Sequence, residues 1–168
     1  MRNEGEGVGH HISAVVLRGS FDAARAAEFD LAAIKLTGEL TLFPLHASYT
    51  DFWAEKLGVS GFVADVPLLN SRVVHHMVNA VATDPLFAII ETDYFGGTGS
   101  QSAAVYRGAV EVMPPESTEL VRGRISIGPI NKALRLLGVT GTGGRDEFDT
   151  VGLANHRDFD DLFDRYHE

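Results

Sequence analysis

The chain has 168 residues, of which 45% are hydrophobic, and its 14 Lys and Arg against 23 Asp and Glu give a net charge of −9. Domains typically hold about 100–200 residues, so this length predicts one domain, and the absence of cysteine excludes disulfide bridges, a thiol nucleophile and an iron–sulfur cluster. The negative charge argues against general nucleic-acid binding, which depends on Lys and Arg contacts with phosphates.

The N-terminal sequence is polar and rich in glycine, and we expect residues 1–9 to form a flexible tail before a single domain at residues 10–168. No apolar segment follows a basic start, so a secretory signal is not expected. No apolar run reaches the roughly 18 residues that a membrane-spanning helix needs. These features predict a cytoplasmic protein that does not associate with membranes.

The N-terminal half is patterned as short strands and helices. A run rich in Ile and Val predicts a strand at His11–Leu17, and Ser20 is expected to cap a helix over Phe21–Phe29. A Thr-Gly-Glu tripeptide between two apolar runs predicts a hairpin. The remaining elements predicted here are hairpin strands at Leu31–Leu36 and Leu40–Leu45, a helix at Tyr49–Leu57 ended by Gly58, an edge strand at Phe62–Val66 stopped by Pro67, and a helix at Ser71–Ala82.

In the C-terminal half, a nearly unbroken apolar run predicts a buried strand at Leu86–Glu91, and Arg107-Gly108 indicates a hairpin. Glycine-rich stretches predict loops at Gly96–Ser102 and Val139–Arg145. The other elements predicted here are strands at Ala103–Tyr106, Ala109–Met113 and Val121–Ile127, a helix that begins with Pro129, and a final helix marked by Phe159, Leu162, Phe163 and Tyr166.

The predicted strands occur in hairpin pairs rather than in strict alternation with helices. This order favours an α+β domain with a mostly antiparallel or mixed sheet and about four to five helices, rather than a doubly wound parallel sheet.

The most unusual stretch begins at the end of the predicted buried strand. Glu91 and Asp93 are two residues apart, so both point to one face of that strand. They could act as acid, base or cation ligand, while backbone N–H groups of the glycine loop bind an anion. Alternatively, the glycines only shape a wide hairpin loop beside solvated carboxylates. The ligand-site hypothesis comprises Glu91, Asp93, Gly97, Gly99, Gln101 and His156, with His46 as another histidine that the fold could bring in.

Several established site types are excluded. No Gly-Lys-Ser/Thr follows the glycine loop, as a P-loop requires, and the third glycine of a dinucleotide fingerprint is missing. His75 and His76 are adjacent on a predicted helix, where side chains diverge by about 100° and cannot hold one metal ion side by side. The acidic runs lack the ligand spacing of a calcium loop. We therefore expect no metal and no cofactor.

Acidic residues cluster twice near the C-terminus, in Asp146–Asp149 and in Asp158–Asp164. Such clusters form either a solvated face or a docking surface for a basic protein. The Tyr-Phe pair after Asp93 has the composition of an aromatic anchor, the residue type that dominates binding energy at interfaces. The docking hypothesis assigns partner binding to Asp93, Tyr94, Phe95, Asp146, Glu147 and Asp149.

Three stretches of the C-terminal half, Glu91–Gln101, Gly128–Leu134 and Asp146–Leu153, resemble small uncharacterised proteins of actinobacteria and similar GC-rich bacteria, of the kind that act as immunity proteins in polymorphic toxin systems. The resemblance implies a non-enzymatic inhibitor that occludes the active site of a cognate toxin. The alternatives are a small enzyme or ligand-binding domain that uses Glu91 and Asp93, and an acidic mimic of nucleic acid. A pocket shared by these carboxylates and a histidine favours the ligand site, whereas a protruding Tyr94–Gly99 segment favours docking.

Overall fold

The computed structural model describes residues 9–63, 71–95, 98–120 and 128–166. They form one six-stranded sheet in the order β2-β3-β1-β4-β5-β6, in which every neighbouring pair is antiparallel. The strands are β1 (His10–Arg18), β2 (Ile34–Lys35), β3 (Leu40–Leu45), β4 (Leu86–Phe95), β5 (Thr98–Arg107) and β6 (Val110–Leu120).

Helices pack on both faces of this sheet. Within the described ranges they are α1 (Ala23–Glu28), α2 (Ala47–Leu57), α3 (Arg72–Val81), α4 (Pro129–Leu136) and α5 (Glu147–Val151), followed by two 3₁₀-helices at Leu153–Asn155 and Asp160–Tyr166. The predicted α+β class with an antiparallel sheet is therefore confirmed. None of the helices in this part of the chain is long and apolar enough to cross a membrane.

The two central strands explain why the sheet is covered on both sides. The apolar runs of β1 and β4 are buried whichever way their side chains point, as Val15, Val16, Ile89 and Ile90 show. A strand with water on one face would instead alternate apolar and polar residues. Val15 pairs with Ile89, so the most apolar segments of the two strands lie side by side at the centre of the core.

Successive side chains of each strand point to opposite faces of the sheet. We call the face that carries Val15 and Ile89 the front face, and the face that carries Ala14 and Ile90 the rear face. On the front face, the His75 ring of α3 contacts the ring of Phe87 edge-on, with centroids 5.4 Å apart. α2 packs beside α3. On the rear face lie α4 and α5; the ring of Phe148 from α5, for example, contacts that of His10 on β1.

The first helix begins later than Ser20 predicts. Asp22 is the N-cap of α1, because its Oδ1 accepts the backbone N–H of Arg25 at 3.0 Å. Ser20 was the wrong cap, since its carbonyl oxygen accepts the N–H of Thr83 and Phe21 forms an isolated bridge with Ala82. These contacts hold the chain extended against the end of α3 before the helix starts.

The predicted loop at Gly96–Ser102 is wrong over most of its length. β4 and β5 pair from Leu86↔Arg107 to Phe95↔Thr98, so residues from Thr98 onward form a strand. Gly96 and Gly97 lie outside the described residues. Gly99 stands opposite Tyr94 with φ 152°, and a Cβ there would overlap the carbonyl oxygen of Asp93. Close backbone approach therefore explains this glycine.

Other boundaries follow the predictions to varying degrees. The second hairpin strand, the helix end at Gly58 and the proline start of α4 are as expected, whereas the first hairpin strand, predicted at Leu31–Leu36, is confined to Ile34–Lys35. The predicted strand at Val121–Ile127 falls outside the described residues, as does most of Phe62–Val66 with Pro67. Phe62 itself forms an isolated bridge with Ser71. The C-terminal helix is a 3₁₀-helix, and α5 was not predicted.

Candidate functional site: a polar depression on the front face

An open depression of about 590 Å³ lies on the front face, toward the end of the sheet where β4 turns into β5. We call it the polar depression. Strands β1, β4, β5 and β6 supply its floor, while the start of α2 and the C-terminal 3₁₀ segment supply its walls. The described residues that line it are His11, Ile12, Ser13, Leu45, His46, Ala47, Glu91, Thr92, Asp93, Ser100, Ser102, Ser117, Thr118, Phe159, Asp160 and Phe163.

Strand register builds the floor in rows. Ser13, Glu91, Ser102 and Ser117 stand opposite one another across four adjacent strands. The equivalent row two residues further into the front face runs through Val15, Ile89 and Ala104, which are buried in the core. The front face thus changes from apolar to polar within one side-chain repeat. In the opposite direction, two residues from the Ser13 row, the row at the rim consists of His11, Asp93 and Ser100.

Hydrogen bonds between short side chains tie the floor together. Ser102 and Ser117 share a hydrogen bond of 2.7 Å between their hydroxyl oxygens, and Ser102 is buried. The hydroxyl of Ser13 donates to Glu91 Oε1 at 3.5 Å. At the rim, His11 Nδ1 lies 3.4 Å from Asp93 Oδ1, with about three quarters of both side chains exposed (72% and 75%). A contact so open to water contributes little stability, so Asp93 can exchange it for another.

His46 forms one wall and is fixed by the start of α2. As N-cap residue, its Nδ1 accepts the backbone N–H of Ser48 at 3.1 Å and lies 2.7 Å from the Ser48 hydroxyl. Accepting that N–H places the proton of the neutral ring on Nε2. The ring stacks on Phe163, with centroids 5.6 Å apart and planes at 27°. This wall therefore has little freedom to rotate.

The charges of the polar depression have one sign. Three carboxylates, those of Glu91, Asp93 and Asp160, belong to the lining, whereas none of its described residues is Lys or Arg. Its two histidines are His11 and His46. Across the described ranges, no group of three or more His, Asp and Glu side chains is arranged to hold a metal ion.

Glu91 and Asp93 are brought together with histidines as the ligand-site hypothesis requires, but Gln101 is not. Gln101 faces the rear, where its Nε2 donates to the Tyr94 hydroxyl at 2.5 Å and its Oε1 accepts the N–H of Ile130 at 2.9 Å. It therefore satisfies a free N–H in the first turn of α4. Burial raises the pKa of Tyr94, and the hydrogen bond from Gln101 partly offsets this.

His156 also lies outside the lining of the polar depression. Its ring stacks near Phe159, with centroids 6.1 Å apart, and the next residue, Arg157, accepts the N–H of His11 through its carbonyl oxygen. The histidines that join the carboxylates are instead His11 and His46. His11 was not predicted as a site residue, although it lies two residues before Ser13 in the same strand, so both side chains point to one face.

The acidic cluster Asp146–Asp149 lies on the other side of the sheet from the polar depression. Asp146 caps α5 by accepting the N–H of Asp149 at 2.9 Å, and both side chains are exposed. Glu147 is only 5% exposed, and its Oε1 lies 2.5 Å from Nε of Arg135. Glu147 therefore joins α4 to α5 and is not available on a docking surface. Two sequence signals could have predicted α5: Asp146, a residue type that caps helix N-termini, and Gly152, which ends the helix.

The aromatic pair of the docking hypothesis is also divided. Tyr94 is half-buried on the rear face beside Gln101, whereas Phe95, the last residue of β4, is 69% exposed. Of the two, only Phe95 presents a large apolar surface to a partner. It follows Asp93 on the front face by one side-chain repeat, so it extends the rim of the polar depression.

Comparison with known proteins found no matching family model, no matching curated protein and no matching solved structure.

Proposed function

We propose that this protein is a non-enzymatic interaction module, an acidic immunity-type inhibitor that occludes the active site of a cognate bacterial toxin. The observation that carries the proposal is the polar depression, which has three carboxylates and neither Lys nor Arg among its described lining residues. The exposed Phe95 stands beside it. Together they offer a concave acidic surface with an aromatic anchor at its edge.

The inhibitor would act by steric blocking after electrostatic attraction. A net charge of −9 accelerates encounter with a cationic active-site cleft, and this acceleration declines as salt screens the charges. Once docked, Phe95 would bury its ring against the toxin, because aromatic side chains are among the residues that carry most of the affinity of an interface. The toxin cleft would then be closed to its own substrate.

Co-expression tests this function. If a toxin gene stands beside the gene for this chain, the toxin should stop growth of a host cell, and the chain should restore growth and co-elute with the toxin at low salt. Phe95→Ala should weaken the complex, whereas Leu136→Ala, which removes another exposed apolar side chain from α4 on the rear face, should leave it intact. Absence of protection and of a complex with the neighbouring toxin would refute the proposal.

A second candidate function is small-ligand binding or catalysis, which a pocket shared by the two carboxylates and a histidine was expected to favour. Glu91 and Asp93 share a concavity of ligand size with His11 and His46. Native mass spectrometry of the purified protein tests it: a bound metabolite that is lost in Ser102→Leu, which fills the floor, would favour this candidate over the inhibitor.

A further inference from the structure

We infer that the polar depression is a receptor for an arginine side chain that the protein partner presents. The inference rests on the proposed function and names the group that the site recognises. It depends on three features of the described residues: the sign of the charges, the aromatic wall and the small side chains of the floor.

The charges select a cation. The carboxylate of Asp93 comes from β4 at the rim and that of Asp160 from the C-terminal 3₁₀ segment that forms a wall, so two separate elements supply negative charge to the recess. The existing contact of Asp93 with His11 is long and exposed, and a guanidinium can replace it with two parallel N–H···O bonds. Such charge-assisted pairs are shorter and stronger than neutral hydrogen bonds.

The wall selects a flat cation. The His46 ring is partly exposed and is backed by the buried Phe163 ring, on which it stacks, and held by the cap of α2, so it offers one fixed aromatic face. Guanidinium groups stack on such surfaces and are less strongly hydrated than ammonium groups, which favours Arg over Lys.

The floor leaves room for the side chain and accepts its hydrogen bonds. Ser100, Ser102 and Ser117 are short, and their hydroxyl oxygens have lone pairs for N–H donors. Because the floor is a hydrogen-bonded sheet above a close-packed core, it does not need to rearrange on binding. A recess of about 590 Å³ accommodates one long side chain together with the adjoining backbone of the partner.

The test compares three peptides that differ in one side chain: acetyl-Gly-Arg-Gly-amide, its citrulline counterpart, which is neutral but nearly isosteric, and its lysine counterpart. NMR titration of the labelled protein measures their binding. We expect the arginine peptide to bind about tenfold more tightly than the citrulline peptide, the effect of two partly screened charges, and more tightly than the lysine peptide. Equal binding of arginine and citrulline peptides would overturn the inference, and so would tighter binding of free arginine than of the peptide.

Variants locate the binding. Asp93→Asn with Asp160→Asn should abolish the preference for arginine over citrulline, whereas Asp149→Asn, which removes an exposed carboxylate on the other side of the sheet, should retain it. An equal loss in the Asp149 variant would show a general charge effect and overturn the inference.

The toxin complex separates this inference from the proposed function. If the toxin binds and the Asp93/Asp160 double variant dissociates about tenfold faster, both stand. If the double variant binds the toxin as tightly as the unaltered chain, the arginine receptor is refuted while the inhibitor function stands. If no toxin is bound at all, the proposed function fails, and so does a receptor for a partner's arginine, whatever the peptides do.

Discussion

Protonation of His75 is expected to destabilise the fold in mildly acidic solution. The His75 ring lies on α3 against the front face of the sheet, edge-on to Tyr106 at 4.4 Å and to Phe87 at 5.4 Å between centroids. Burial lowers the pKa of His75 from 6.5 to about 4, because an imidazolium there would be removed from water. Between these two pKa values, the His75 ring is therefore neutral in the folded chain and protonated in the unfolded chain.

The sign and size of the effect follow from this difference. Above pH 6.5 both states hold a neutral ring, and the stability is complete. As the pH falls from 6.5 toward 4, only the unfolded state takes up the proton, so stability is lost across that window. The full loss has a ceiling of about 3 kcal/mol, and about 2 kcal/mol of it falls between pH 7 and pH 5.

Urea denaturation at pH 7 and pH 5 measures this loss. His75→Phe retains an edge-on aromatic ring but cannot titrate, so its loss of stability between the two pH values should be about 2 kcal/mol smaller than that of the unaltered chain. Burial also lowers the pKa of His10, but that contribution is common to both proteins and cancels. His76→Gln, on the exposed side of α3, is the control. Identical pH dependence with and without the His75 ring would refute the reasoning.

Three further changes test contacts that hold the site in place. Gln101→Ala leaves the Ile130 N–H without its acceptor and should lower the free energy of unfolding by about 1–3 kcal/mol, with unchanged binding of the arginine peptide; a lost peptide preference would return Gln101 to the site. Glu147→Gln should cost about 1–2 kcal/mol in urea denaturation, since Arg135 loses a buried charged partner but is itself half exposed; no change would mean that the pair contributes nothing. Tyr166→Phe removes a hydroxyl that donates to Asp30 and accepts from Trp53, so thermal unfolding should show a loss of about 1 kcal/mol, and a larger loss would indicate that the C-terminal wall detaches.

Local periodicity was sufficient to predict the elements that pack by one face. The helix predicted at Ser71–Ala82 forms as α3, and its apolar residues at helical spacing are all buried: Val73, Val74, Met77, Val78 and Val81. A helix has the same periodicity whatever it packs against, so the spacing of its apolar residues alone predicts which face is buried. The α+β class followed from the pairing of strands by the same kind of local signal.

The wrong prediction for Gln101 shows that the local sequence pattern does not determine on which face of the sheet a residue lies. The face on which a residue of β5 lies depends on the number of residues between the two strands, since a change of one reverses every side chain. With a wide loop, Gln101 could join Glu91. With pairing that continues to Phe95↔Thr98, Glu91 faces Ser102 instead, and Gln101 faces the rear. Because the run of glycines did not indicate where β4 ends and β5 begins, the face on which Gln101 lies could not be predicted.

His11, His46 and the pair of Glu147 with Arg135 required tertiary information. His11 and His46 lie 35 positions apart in the chain, and they line the same depression because β1 pairs with β3. Glu147 was placed on a surface because it lies among other acids, yet its partner comes from the preceding helix. Neither arrangement leaves a periodic signal in the sequence.

The position of the acidic residues, rather than their number, separates docking from general charge. In the α5 cluster, Asp146 caps the helix and Glu147 pairs with Arg135, so two of its three carboxylates serve the fold. In the polar depression, the contact of Asp93 with His11 is long and exposed. Long-range attraction sums over all charges, whereas dissociation depends on the contacts formed. Under the proposed function, both clusters would therefore accelerate encounter, and the polar depression would supply the contacts that slow dissociation.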